Sequence, residues 1–88
     1  MRNSNATRWI THVAILYHGH VHALPEPRRH HDVIRSMGGI SGPDIQGFLD
    51  NDGVFLNRKE ALQVALDAGQ VLDVNAIRAD RLFSEDLW

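Results

Sequence analysis

Eighty-eight residues, 43% apolar and 23% charged, leave room for one small globular domain and no more. The absence of cysteine excludes disulfide staples and thiolate zinc sites. Nine basic against eleven acidic residues, a formal charge of −2, lack the cationic surplus on which non-specific binding to nucleic-acid phosphates depends.

Residues 1–8 are polar, without the apolar core of a signal peptide, and are expected to be disordered. No later stretch reaches the ~20 apolar residues of a bilayer span, so the expectation is a soluble, cytoplasmic protein with no membrane partner. Residues 9–24 are β-rich and are interrupted by His18-Gly19, which predicts a hairpin with the glycine supplying positive φ. Pro25 and Pro27 end the second strand, and a helix should follow with Val33, Ile34 and Met37 as its inward stripe. Gly38-Gly39 stops that helix, and residues 40–44 read as a flexible connector.

Two short apolar runs, 46–49 and 54–56, flank Asp50-Asn51-Asp52-Gly53, a second hairpin signature. Asn57 and Glu60 have capping-box spacing, predicting a helix over 58–68 whose buried face carries Ala61, Leu62, Ala65 and Leu66. The expected architecture is therefore α+β: two β-hairpin segments forming a small antiparallel sheet, with two short helices packed on one of its faces. Residues 9–88 form this single domain. A core so small favours a homo-oligomer.

Three clusters invite a chemical reading. Alternation along a strand places His20 and His22 on one face, where they could chelate a metal, but His18 falls in the turn and no third ligand is evident. A solvated hairpin face is the plainer reading, so neither a metal nor any other cofactor is expected. The sequence Asp50-x-Asp52-Gly53 is reminiscent of a calcium loop. In that alignment Phe48 and Lys59 occupy the two terminal ligand positions, which require carboxylates, so the loop is read as a turn. Arg28-Arg29-His30-His31-Asp32 stands where a helix should begin. There, cationic side chains oppose the helix dipole, while the unpaired backbone N–H groups favour an anion. Arg28, Arg29, His30 and His31, with Arg58 from the start of the second helix, are the expected ligand-binding residues for a phosphate-bearing, nucleotide-like molecule.

No nucleophile elbow, phosphate loop or dinucleotide fingerprint is present, so no catalytic residue is assigned and no enzymatic activity is expected. The closing segment, from Phe83 through Glu85, Asp86 and Leu87 to Trp88, has the make-up of an acidic docking peptide with aromatic anchors. The same residues could instead complete the domain's own core.

His30-His31-Asp32-Val33-Ile34, the unit Gly47-Phe48-Leu49 with Gly53-x-Phe55-Leu56-x-Arg58-x-Glu60-Ala61, and the closing Leu82-Phe83-Ser84-Glu85-Asp86-Leu87-Trp88 together resemble small bacteriophage and prophage proteins. The likeness covers residues 18–88, and the closing motif is its most specific part. It implies a viral accessory protein acting in the bacterial host cytoplasm as an anti-defence inhibitor. Such a protein would sequester a nucleotide signal or, alternatively, dock on a host defence protein through residues 83–88.

Overall fold

The computed structural model describes residues 5–42 and 44–88. Residues 1–4 of the expected disordered segment, and Pro43 of the connector, lie outside them. The elements are β1 (Ile10–Tyr17), β2 (His20–Pro25), α1 (His30–Ser36), β3 (Ile45–Asp50), β4 (Phe55–Asn57) and α2 (Arg58–Asp67). Short 3-10 turns follow at Val74–Ala76 and Ser84–Asp86. The four strands form one antiparallel sheet in the order β2-β1-β3-β4, so the fold is α+β as the sequence pattern implies.

Both hairpins form where expected. His18 (φ 51°) and Gly19 (φ 76°) make a two-residue turn, the form whose twist suits flanking strands. In the second hairpin the side chain of Asp50 organises the turn. Its Oδ1 accepts from the amides of Asp52 and Val54, both at 2.9 Å, and its Oδ2 accepts from Arg8 Nε at 2.8 Å. Asn51 Nδ2 also donates to the backbone oxygen of Thr7. Within the segment expected to be disordered, Thr7 and Arg8 are thus both tied to this turn.

Helix α2 starts as the capping box dictates. Asn57 Oδ1 accepts from the Glu60 amide at 2.8 Å, and Glu60 Oε1 accepts from the Asn57 amide at 2.9 Å. Its buried residues are Ala61, Leu62, Val64 and Ala65; Leu66, expected inside, is exposed at the edge of the stripe and Val64 takes its place. Helix α1 begins only at His30, and of its expected stripe Val33 is fully buried while Ile34 and Met37 pack at the margin.

Directly paired residues of neighbouring strands share a sheet face, so the register sorts the side chains. Leu24, Val13, Phe48 and Leu56 form one row, and His22, Ile15 and Gln46 the next. A bulge between Ile10 and His12 brings Ile10, paired with Asp50, onto this same face. Here Ile10, Val13, Ile15, Phe48 and Leu56 join Val33 of α1, the apolar face of α2, and Leu82 and Leu87 of the C-terminal segment in one core. Both helices and the chain after α2 therefore cover a single side of the sheet. Among the described residues no helix is long and apolar enough to cross a membrane.

Candidate functional site

Of the five residues expected to hold a ligand, four converge. Arg29, His30, His31 and Arg58 line one hollow of ≈ 470 Å³, together with Gln46, Phe83, Ser84 and Glu85. Arg28 does not join them. It faces a separate hollow with Leu24, Asp32, Arg35 and Ser36. Adjacent residues at the entry to a helix point in different directions, so the pair Arg28-Arg29 is divided between two surfaces.

The four differ in what they have left to offer. His30 is buried, with Nε2 donating to the Gly47 carbonyl at 2.8 Å and its ring edge-on to Phe48 at 5.0 Å. Burial pushes its pKa below the usual histidine value, and Arg58 acts in the same sense. The Gly47 hydrogen bond, Glu85 and Asp44 oppose the shift. His30 is thus a neutral strut fastening α1 to β3. His31 is exposed, with Asp32 Oδ1 at 3.5 Å from its Nε2. Arg29 donates to the backbone oxygen of Trp88.

Arg58 is the hub. It is the first residue of α2, and its Nη1 donates to the Leu82 carbonyl at 2.8 Å while Nη2 donates to Gln46 Oε1. The Leu82 amide in turn donates to the Arg58 carbonyl at 3.0 Å. The Arg58 guanidinium lies 4.4 Å from the centroid of the Phe83 ring, and that of Arg78 lies 4.7 Å from it. Burial, with Arg81 nearby, lowers the Arg58 pKa, and Glu85, Asp44 and Asp86 counter this; arginine remains charged throughout.

Gln46 and Arg58 also line a second hollow of ≈ 570 Å³, with Asp44, Ile45, Asn57, Lys59, Ala79, Asp80 and Arg81. The two hollows share these residues and adjoin at them, a two-part depression beside β3 and the start of α2. Gln46 escaped the sequence reading, although its spacing from Phe48 on a strand puts both on one face. Lys59 and Arg81 carried no local signal.

The start of α1 is not an open anion site. The Asp32 carboxylate already accepts from the Arg29 amide at 2.8 Å, which holds the Asp32 pKa below its usual value, and the helix has only seven residues. Among the described residues no three His, Asp or Glu side chains converge to hold a metal ion.

The segment read as a docking peptide folds onto its own chain. Leu87 is buried, Asp86 Oδ2 accepts from the Phe83 amide, and Asp86 O accepts from the Leu72 amide, both at 2.9 Å. Trp88 Nε1 donates to the Arg28 carbonyl at 2.8 Å. Glu85 keeps an exposed side chain, 3.6 Å from Arg78. A partner would meet these residues as part of a folded surface, not as an extended strand.

Comparison with known families bears on these same elements. Residues 5–88 match the phage T4 y16D protein family. The chain belongs to that family. It is a phage protein, and the match takes in both hairpins, both helices and the closing segment that builds the depression. No curated protein and no solved structure matches the chain.

Proposed function

We propose that this phage protein is a non-catalytic binding protein that holds a phosphate-bearing, nucleotide-like ligand in the depression centred on Arg58. The supporting observation is that Arg29 and His31, from the start of α1, and Arg58, from the start of α2, reach one hollow of ≈ 470 Å³. Gln46 and Arg58 also line the adjoining hollow, which holds Lys59 and Arg81. Guanidinium groups suit phosphate because their planar donors engage two oxygens at once. Cationic and anionic side chains along the depression nearly balance, since Asp44, Asp80 and Glu85 stand among them. Recognition would rest on placed donors more than on a broad positive field, which favours a small ligand over a polymer. The role fitted to a phage setting is sequestration of a nucleotide signal of host defence in the bacterial cytoplasm, which requires affinity but no turnover.

The test is calorimetric titration of the protein with inorganic phosphate and with linear and cyclic nucleotides. A double variant, His31→Ala with Lys59→Ala, removes two exposed donors without touching the Arg58 hub. Wild-type binding of one nucleotide class, weakened tenfold or more in the variant, is the expected result. A wild-type protein that binds none of them, or a variant of equal affinity, would overturn the reading.

A further inference from the structure

The formal charges lining the two hollows cancel once Arg58 is set aside, with histidine counted as neutral. Arg29 stands against Glu85 in the smaller hollow, and Lys59 and Arg81 stand against Asp44 and Asp80 in the larger. Arg58, which lines both, carries the single positive charge left over. Among the described residues no carboxylate forms an ion pair with it. Arg78, 3.6 Å from Glu85, is exposed and lines neither hollow, so solvent screens its charge.

Burial works against a charge that lacks a partner, so an anion would complete the site. Arg58 is already held in place to receive one. Its bonds to Leu82 and Gln46 commit two of its five N–H groups and leave donors for a ligand. Ser84, 3% exposed, lines the smaller hollow as well. Its hydroxyl has a 3.5 Å contact with Glu85 Oε2, longer than an ordinary O–H···O bond, and is available to donate.

The kind of anion follows from the charge and the shape. A terminal phosphate carries about −1.5 to −2 at neutral pH, more than the one positive charge on offer. Its surplus would lie among Asp44, Asp80 and Glu85. A phosphodiester carries a single negative charge and extends to both sides of its phosphorus, as the hollows extend to both sides of Arg58. At ≈ 470 and ≈ 570 Å³, each hollow is the size of a small-molecule site. Both have polar linings, suited to the hydroxyl and amine groups of a neutral arm.

We propose that the ligand of this depression is a phosphodiester joining two nucleosides, with its charge on Arg58 and one nucleoside in each hollow. The assignment rests on the reading of the depression as a nucleotide site and specifies the ligand class.

Calorimetric titration with homodinucleoside monophosphates of each base, the matching nucleoside monophosphates and inorganic phosphate tests it. Three substitutions of exposed residues accompany the wild type, their folding checked by circular dichroism: His31→Ala in the smaller hollow, Lys59→Ala and Asp80→Asn in the larger. At least one dinucleoside monophosphate should bind about tenfold more tightly than its mononucleotide or phosphate. His31→Ala and Lys59→Ala should each weaken it, because the ligand occupies both hollows. Asp80→Asn adds a second unit of positive charge, and asparagine tolerates the φ of 53° at this position. It should narrow the preference for the diester by about threefold. Mononucleotides that bind as tightly as every dinucleoside overturn the diester while leaving a nucleotide site in place. A diester weakened by only one of the alanine changes, or a preference that Asp80→Asn leaves unchanged, also overturns the assignment. If no nucleotide binds at all, the proposed function fails and the assignment falls with it.

Discussion

The indole nitrogen of Trp88 donates a 2.8 Å hydrogen bond to the backbone oxygen of Arg28, joining positions sixty residues apart. Arg29 returns the connection by donating to the backbone oxygen of Trp88. This reciprocal pair clamps the closing segment against the entry to α1, where one wall of the depression stands. Trp88→Ala should therefore cost about 2 kcal/mol of stability, combining a lost hydrogen bond with lost partial burial. Trp88→Phe, which keeps most of the packing, should cost about 1 kcal/mol. Urea unfolding followed by circular dichroism measures both, and a Trp88→Phe variant as stable as the wild type would show that the hydrogen bond contributes nothing.

Asp50, only 2% exposed, ties Arg8 to the β3–β4 turn through one carboxylate. Burial alone would raise its pKa. The hydrogen bond from Arg8 and those from the Val54 and Asp52 amides outweigh burial and hold it below the usual carboxylate value. A depressed carboxyl pKa means that the unfolded chain takes up the proton more readily. This contribution is then complete above the unfolded value near 3.8 and is lost as pH falls through the lower folded value. Asp50→Ala should cost about 3 kcal/mol, since two turn amides and Arg8 lose their acceptor. Asp50→Asn keeps an oxygen for the turn, and should cost less while flattening the acid limb of a stability–pH curve.

What could be read from the sequence was what is settled within about four residues. The His18-Gly19 turn, the Asp50–Gly53 hairpin and the Asn57–Glu60 box each declare themselves locally, and with period-two alternation they give the sheet and α2. The site obeys longer-range rules. Arg58 is joined to Gln46 and Leu82 across twelve and twenty-four residues, and Arg8 to Asp50 across forty-two. No local pattern announces the bulge near Thr11, yet it sets which side chains face the helices. Arg28 and Arg29 looked equivalent because adjacency in sequence hides the divergence of side chains at a helix entry. The docking and core readings of residues 83–88 share one composition, so only the path of the chain shows where those side chains pack.

Ala79 and Asp80 both adopt positive φ, 55° and 53°, between the bridged residues Arg78 and Arg81. For alanine this conformation costs about 1 kcal/mol or more, because Cβ crowds the following carbonyl. Ala79→Gly removes that strain and gives back part of the gain as unfolded-state entropy. The expected outcome is a stabilisation of about 0.5 kcal/mol in chemical denaturation, whereas glycine in place of Gln63, at an exposed helical position, should destabilise by about 1 kcal/mol.

His30 should give the protein a second pH dependence, nearer neutrality. Its folded pKa lies below 6.5 because burial disfavours the charged ring. The unfolded chain binds the proton first, so stability is complete above about 6.5 and declines as pH falls through the folded value. His30→Gln keeps a donor for the Gly47 carbonyl and cannot titrate. Urea midpoints taken from pH 8 to pH 5 should slope downward in the wild type and run flatter in the variant, and parallel slopes would remove His30 as the cause.

Gly47 sits where the two faces of the sheet make opposite demands. On one side its carbonyl receives His30. On the other, an added Cβ would meet the Leu56 carbonyl oxygen at 2.2 Å and the Phe55 ring at 2.7 Å. The ring can swing aside, but the backbone oxygen can move only by opening the β3–β4 pairing. Gly47→Ala should therefore destabilise by about 2–3 kcal/mol, the usual cost of forcing atoms into a packed site. Adding Phe55→Leu to Gly47→Ala separates the two clashes. If the ring were the obstacle, the double variant would regain most of the loss. Because the carbonyl is closer and fixed, it should regain less than half, as double-mutant analysis of urea unfolding can measure.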